Sequence, residues 1–390
     1  MLDVIDLFRQ KETRDELGIS VVRDAFADML FPGTSTIQTR ARYFLFVPWI
    51  YRALERRGVG SAQAAYEARW REVALTNAIV GSEDSEGVFG KRSRQNLKRL
   101  PSNVYWQGLG RWGIRLFPGS QTQYHRSLDG FYEANRRSQR TDDGDPVDDA
   151  AMQNWHAGLP PEQSGFLKQS SFLLTREEAE YLRERILTSV PGTLLAFLID
   201  HGRRTEPVSF PWEHSQFGAF PDRVRDQLRH ARNFSETIYG APLLYNLMLA
   251  EAKGSEELVE GYSMWLSEWA ALLEHRHSEL AGWNRGEFWH MVTSEGSRVT
   301  PAARAFIDSW FDAALNPETA ASIAENEEAR CLISDRELAL KGGLARLHNQ
   351  SALELWNEAS GTYQIDYRWW NVQRIVADIL KGLEEGGDHA

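Results

Sequence analysis

Residues 31–51, FPGTSTIQTRARYFLFVPWIY, constrain this chain more than any other stretch. Pro32 fixes its own φ and restrains Phe31, while Gly33 can take dihedrals closed to other residues, so Phe31-Pro32-Gly33 ends whatever precedes it. Thr34, Ser35 or Thr36 can then cap a helix whose apolar positions Ile37, Ala41, Phe44, Leu45, Tyr51 and Leu54 share one broad face. Pro48 removes one i→i−4 hydrogen bond from that helix, which predicts a kink or two short helices meeting near Val47. Arg40 and Arg42 lie two apart and point in different directions, so one is expected to serve the fold while the other stays open to a partner.

With 390 residues, 42% of them hydrophobic and 25% charged, the chain is globular in composition and has room for roughly two to four domains. Fourteen tryptophans beside 18 phenylalanines and 12 tyrosines suit many helix-helix contacts, with some rings available for recognition. A formal charge of −11 disfavours a protein that coats DNA but leaves room for a local basic groove, because the field at a patch follows local charge. The lone Cys331 excludes an internal disulfide framework and a thiolate metal cluster, fits a cytoplasmic location, and reads as a buried, inert thiol. The N-terminal residues lack a basic flank before an apolar segment, and no stretch approaches about 18 uninterrupted apolar residues, so neither secretion nor a membrane is expected.

Most of the remaining sequence is periodic at helical spacing. Residues 61–80, SAQAAYEARWREVALTNAIV, predict a helix with Tyr66, Trp70, Val73 and Ala74 on its apolar side, stopped by Gly81. Thr175 followed by Glu178 is a capping box. TLLAFLIDHG predicts a short apolar helix or buried strand, and the turn-rich connector after it holds His201 and His214, which read as structural histidines and not as a catalytic base. Leu243, Leu244, Leu247 and Met248 form a packing ridge on a helix that Pro242 is expected to start and Gly254 to end. Thr300-Pro301 opens another helix, and Gly342-Gly343 is a helix break, since the chain has no GxxxxGK[ST] or GxGxxG. The alternating strand and helix signals of a doubly wound sheet are missing, so the expected fold is predominantly all-α and multi-subdomain. Five aspartates within residues 142–149, broken by Gly144 and Pro146, mark a boundary. The expected organisation is a helical domain over 1–141, an acidic, Pro/Gly-rich linker over 142–160 and a second helical domain over 161–390. The acidic run lacks the spacing of a calcium loop and reads as solvated, or as an internal partner for a basic patch.

That patch is residues 91–115, which carry Lys91, Arg92, Arg94, Lys98, Arg99, Arg111 and Arg115 without one Asp or Glu. Tyr105, Trp106 and Trp112 are interleaved with them. Cationic side chains there can meet phosphates, and rings can stack on exposed bases. The bland reading is a solvated face paired with acids elsewhere, its tryptophans in the core. Pro101-Ser102-Asn103 falls between two short helical pieces, similar to a small helix-turn-helix or winged-helix-like element in the N-terminal half.

His275, His277, Glu287 and His290 are the residues best suited to hold zinc or iron, but His275 and His277 diverge on a helix and no HExxH is present. No metal or other cofactor is predicted, and a divalent or transition metal belongs only to an enzyme alternative. In the tail, Tyr367-Arg368-Trp369-Trp370 and the helix through Ile375, Val376, Ile379 and Leu380 form an amphipathic, ring-rich end, either a docking surface for a protein partner or a lid on the chain's own core.

The strings FPGTSTIQTRARYFLFVPWIY, RSRQNLKRLPSNVYW with GLGRWGIR, and DYRWW resemble an uncharacterised bacterial domain-of-unknown-function family associated with anti-phage defence gene neighbourhoods. The resemblance implies a defence setting and an operon-encoded protein partner, and it supplies no catalytic residues. With no GxSxG, Walker loop or zinc motif in the chain, the expected function is a non-catalytic component of a bacterial defence complex, binding DNA or RNA or acting as an adaptor. The alternatives are a metal-dependent nuclease or hydrolase and a purely structural protein-interaction scaffold.

Overall fold

The computed structural model describes residues 15–82, 84–91, 97, 99–138, 152–294 and 296–385, with the backbone alone given for Arg137, Ser138 and Glu385. Sixteen α-helices account for most of them: α1 (Ser20–Leu30), α2 (Tyr43–Arg56), α3 (Ser61–Val80), α4 (Pro101–Arg111), α5 (Gln121–Ser138), α6 (Arg176–Ser189), α7 (Leu194–His201), α8 (Asp222–Lys253), α9 (Glu256–His275), α10 (His277–Ala281), α11 (Arg285–Ser294), α12 (Pro301–Ala314), α13 (Pro317–Ala321), α14 (Glu327–Lys341), α15 (Gln350–Glu354) and α16 (Trp369–Glu385). Among the described residues there is no sheet, only an isolated bridge between Arg115 and Trp155. The fold is all-α. It divides into two units, one joining the described residues up to Met29 with Pro221–Tyr367, the other joining Leu30–Phe220 with the chain from Arg368 onward. The acidic stretch at 142–160 does not separate them, since the chain on both sides of it belongs to the second unit.

In that second unit α2 is the core. Every residue from Tyr43 to Tyr51 is buried, so the helix has no solvent face until its last turns. A helix apolar all round must be enclosed, and aromatic rings enclose this one. Trp112 stacks on Phe44 with centroids 3.8 Å apart, Phe166 lies 5.5 Å from Phe46, and Trp106 lies 5.5 Å from Tyr51. The Trp49 indole donates to the Pro160 carbonyl at 2.7 Å. The abundance of tryptophan is therefore largely a packing requirement. The helix starts later than Thr34–Thr36 would have placed it: the Thr34 hydroxyl donates back to the Phe31 carbonyl at 2.6 Å, closing a turn, and residues 34–42 stay irregular up to Tyr43. Pro48 sits inside one continuous helix and does not divide it.

Both arginines of the segment serve the fold, contrary to the expectation that one would remain open. Arg40 forks onto Asp378 of α16, Nε to Oδ2 at 2.9 Å and Nη2 to Oδ1 at 3.0 Å, and reaches Asp84 at 2.6 Å. Arg42 is buried against Glu178 of α6 at 2.7 Å. Glu178 also completes the capping box with Thr175. Gly382 brings α16 tightly onto α6, because a Cβ there would stand 2.8 Å from that of Ala179.

The first unit is built on α8. This helix runs for 32 residues with Pro242 inside it, where a start had been expected, and it ends as expected at Gly254, which is left-handed at φ 71°. The proline removes one backbone donor. Asn246 Nδ2 donates to the Pro242 carbonyl at 2.7 Å, and indoles donate to two carbonyls further up the helix, Trp269 to Glu236 at 2.8 Å and Trp310 to Thr237 at 2.9 Å. At Gly240 a Cβ would lie 2.5 Å from the Trp269 ring. Gly240→Ala is therefore expected to push α9 off α8 and lower stability by about 1–3 kcal/mol, the usual penalty of overpacking; chemical denaturation checks it, and an unchanged midpoint would contradict the close approach. Phe288 is ringed by Phe26, Phe234, Phe311 and Trp283 at 5.2–5.8 Å. Glu337, fully buried, accepts from the backbone N–H groups of Arg346 at 2.9 Å and Leu347 at 3.0 Å, from Lys341 at 3.0 Å and from the Tyr245 hydroxyl. Burial alone would raise its pKa, yet these donors hold it below the usual range. Cys331 is exposed, not buried: it lies on α14 away from the core positions Ala329 and Ile333.

Candidate nucleic-acid interface

α3 is built on small residues. Ala64, Ala68, Leu75, Ala78 and Ile79 are buried, so the alanines, and not the aromatics, form the face that meets the core. Small side chains let neighbouring backbones approach, and the two rings are turned out. Tyr66 and Trp70, expected on the apolar side, lie one helical turn apart on the outer face, 71% and 56% exposed.

One edge of α3 is fixed to the segment that carries the basic run. Arg69 donates from Nη1 to the Leu97 carbonyl at 3.0 Å. Three residues on, the fully buried Glu72 accepts from the Ser102 backbone N–H at 2.8 Å and from the Ser102 hydroxyl at 2.7 Å. Pro101 is the first residue of α4, so this carboxylate meets the positive end of that helix. Burial pushes the Glu72 pKa up to about 7, against the opposing pull of the Ser102 hydrogen bonds. Tyr66 is three residues before Arg69 and therefore its neighbour along the helix surface. Tyr66 thus stands next to the helix edge that Arg69 ties to Leu97, a residue that in sequence lies between Lys91 and Arg99.

The rings expected to stack on bases do other work. Tyr105 accepts from the Thr39 and Arg40 backbone N–H groups at 2.9 and 3.1 Å and donates to the Arg40 carbonyl. The Trp106 and Trp112 indoles donate to the Gly119 and Pro32 carbonyls at 3.0 and 2.9 Å. All three are buried, which corrects the expectation of stacking at Tyr105 and Trp106. Arg115 is also enclosed, donating to the carbonyls of Trp106 at 3.2 Å and Gly119 at 3.1 Å with its guanidinium over the Trp106 ring; burial pushes its pKa down. Those bonds fix it within the fold, away from a phosphate.

Lys91, Arg99 and Arg111 are exposed. Lys91 donates to the Ser85 hydroxyl at 2.8 Å, whereas Arg99 and Arg111 have no side-chain hydrogen bond or ion pair among the described residues. Arg92, Arg94 and Lys98 lie outside the described residues, as does the aspartate run at 142–149. Nor do Pro101-Ser102-Asn103 separate two helices: Pro101 opens α4, and no strands for a wing occur among the described residues.

At the C-terminal end, Tyr367 is fully buried and donates to the Ala231 carbonyl at 2.6 Å. Arg368 donates to the Thr34 carbonyl at 2.8 Å, and Trp369 is buried with its indole on the Val208 carbonyl at 3.1 Å. Tyr367 and Arg368 both hold left-handed φ, 55° and 69°, a conformation that surrounding contacts must impose on bulky residues. Of the four residues expected to dock a partner, only Trp370 is substantially exposed. The other three are bound into the fold.

His275, His277, Glu287 and His290 are all exposed and do not converge. His275 ends α9 and His277 begins α10, on either side of the buried Arg276, while Glu287 stands 3.9 Å from His230. Among the described residues no group of three or more His, Cys, Asp or Glu is placed to hold a metal ion. No described helix is long and apolar enough to cross a membrane.

The geometry defines an all-α protein of two helical units that carries, on one of them, a helix with outward rings fixed beside a basic segment. Over residues 2–382 the chain matches the model of a Family of unknown function (DUF6361), and it belongs to that family. No curated protein and no solved structure matches it.

Proposed function

We propose that this chain is a non-catalytic nucleic-acid-binding protein whose contact surface is the outer face of α3 together with the exposed basic residues Lys91, Arg99 and Arg111. The observation that carries this reading is the pair Tyr66 and Trp70, two solvent-facing rings one turn apart on a helix whose adjacent edge is tied by Arg69 to the acid-free 91–115 segment. Rings at that spacing offer successive platforms for unpaired bases, and the neighbouring cations supply phosphate attraction that a chain of net charge −11 otherwise lacks. A setting in a bacterial defence complex, with a protein partner, rests on the sequence resemblance alone.

Because stacking needs an accessible base face, single strands should bind more tightly than duplex of the same sequence. Tyr66→Ala and Trp70→Ala should each weaken single-strand binding by about 5- to 150-fold, corresponding to roughly 1–3 kcal/mol per stacked base, with a smaller effect on duplex. Both side chains are largely exposed, so the variants should keep the wild-type unfolding midpoint. Equal affinities for wild type and the double variant would remove α3 as the contact.

A further inference from the structure

The second unit also holds a cavity with different chemistry, formed where the connector after α7 passes over α16. Two bonds hold the connector there, one within it and one to α16. The Arg203 backbone N–H donates to Gln216 Oε1 at 3.0 Å, and the Val208 N–H donates to Gln373 Oε1 on α16 at 3.2 Å. Between them lies a space of about 370 Å³, within the range of small-ligand sites. Its inner wall is apolar, with Leu198, Val376, Leu380 and the buried Trp369.

The polar groups around this wall are sorted by sign. His214 is buried; its Nδ1 accepts from the Gln216 N–H at 3.2 Å, so the ring proton sits on Nε2, 3.3 Å from the Thr205 hydroxyl. Burial lowers its pKa, which keeps it neutral near pH 7. Positive charge comes from Arg203, Arg204 and Arg374, set against Glu206 as the one carboxylate of the lining. Arg203 is exposed and its guanidinium has no partner among the described residues. Arg204 meets Glu384 at 3.3 Å with both side chains more than half exposed, and Arg374 meets Glu86, itself 74% exposed. Exposed pairs of this kind contribute little and exchange readily for a stronger anion. Trp370 completes the lining, with half of its surface open to solvent.

An apolar wall, a half-exposed indole and the guanidinium of Arg203, partnerless among the described residues, beside two weakly paired arginines call for a ligand that is flat and apolar at one end and anionic at the other. Inorganic phosphate would leave the wall uncovered, and an uncharged ring would leave the Arg203 guanidinium unused. We propose that this cavity is a second binding site, sharing no residue with the α3 surface, and that it takes a nucleoside monophosphate, with the base against Trp370 and the apolar wall and the phosphate on Arg203 and its neighbours. Arginine suits this role because its planar fork matches a phosphate bidentately.

The test is calorimetric titration of the full chain with adenosine monophosphate, adenosine and inorganic phosphate in turn. Wild type should bind the monophosphate at least 10-fold more tightly than either fragment. Arg203→Ala should weaken the monophosphate about 10-fold and leave adenosine unchanged, and Trp370→Leu should weaken both. Tyr66→Ala/Trp70→Ala should leave this affinity intact, which separates failure of the cavity from failure of the nucleic-acid surface. No heat with the monophosphate at millimolar concentration, phosphate binding as tightly as the nucleotide, or indifference to both cavity substitutions would each overturn the assignment.

Discussion

Replacing Arg42 with methionine is expected to destabilise the folded chain by about 3–5 kcal/mol, the range seen when one member of a buried ion pair is removed. Arg42 and Glu178 are 2% and 3% exposed. Besides the ion pair, Arg42 donates to the Ser171 carbonyl at 2.9 Å and lies over the Phe46 and Trp49 rings. Without it Glu178 keeps its capping bond to the Thr175 N–H and a long bond from Gln163 at 3.3 Å, but its charge stays buried without a counter-ion. The cost is mainly that stranded charge. Arg42→Met combined with Glu178→Gln should therefore recover most of the loss, because the amide retains an acceptor for the cap. Urea unfolding of the two single variants and the double checks this. A single-variant loss under about 1 kcal/mol, or simple additivity of the two, would contradict the picture of a desolvated pair.

The Glu72 carboxylate should leave a signature in the pH dependence of stability. Burial raises its folded pKa from the ordinary 4.5 to about 7. Between those values the folded chain holds a proton that the unfolded chain has released, so stability falls as pH rises through the window and levels off above about 7. A displacement of this size corresponds to about 3 kcal/mol. Glu72→Gln removes the titration, so the difference in unfolding free energy between variant and wild type should grow in favour of the variant from pH 4.5 to 7.5. Parallel curves over that range would show that Glu72 is ionised in the folded state. The Gln121 amide, which donates to the Ser102 hydroxyl at 2.8 Å, remains in place in both proteins.

Local punctuation in this chain was legible from sequence because its causes are local. The Thr175–Glu178 capping box, the stops at Gly81 and Gly254 and the start at Thr300-Pro301 depend on a few adjacent residues and are found where the sequence puts them. The face of α3 was not legible, since alanine and aromatic positions recur at the same helical spacing and only packing against α2 decides which is buried. The run of alanines at 64 and 68 was the available signal. For the same reason Tyr105, Trp106 and Trp112 carry both a stacking and a core reading in the sequence, and the partners that put them in the core, Thr39, Gly119 and Pro32, are remote or across a turn. The two units join segments far apart in sequence, residues up to Met29 with Pro221–Tyr367, and no composition shift records that pairing.

The central claim, that α3 and the segment beside it form a nucleic-acid surface, is tested most directly by the salt dependence of single-strand affinity. Fluorescence anisotropy with a labelled oligonucleotide would be recorded at several salt concentrations for wild type and for Lys91→Gln/Arg99→Gln/Arg111→Gln. All three side chains are exposed, so the variant should keep the fold. The account predicts a linear fall of log affinity with log salt for wild type, and a slope shallower by about 0.7 for each phosphate contact the variant has lost. Identical slopes for the two proteins, or no binding by wild type at the lowest salt, would contradict it.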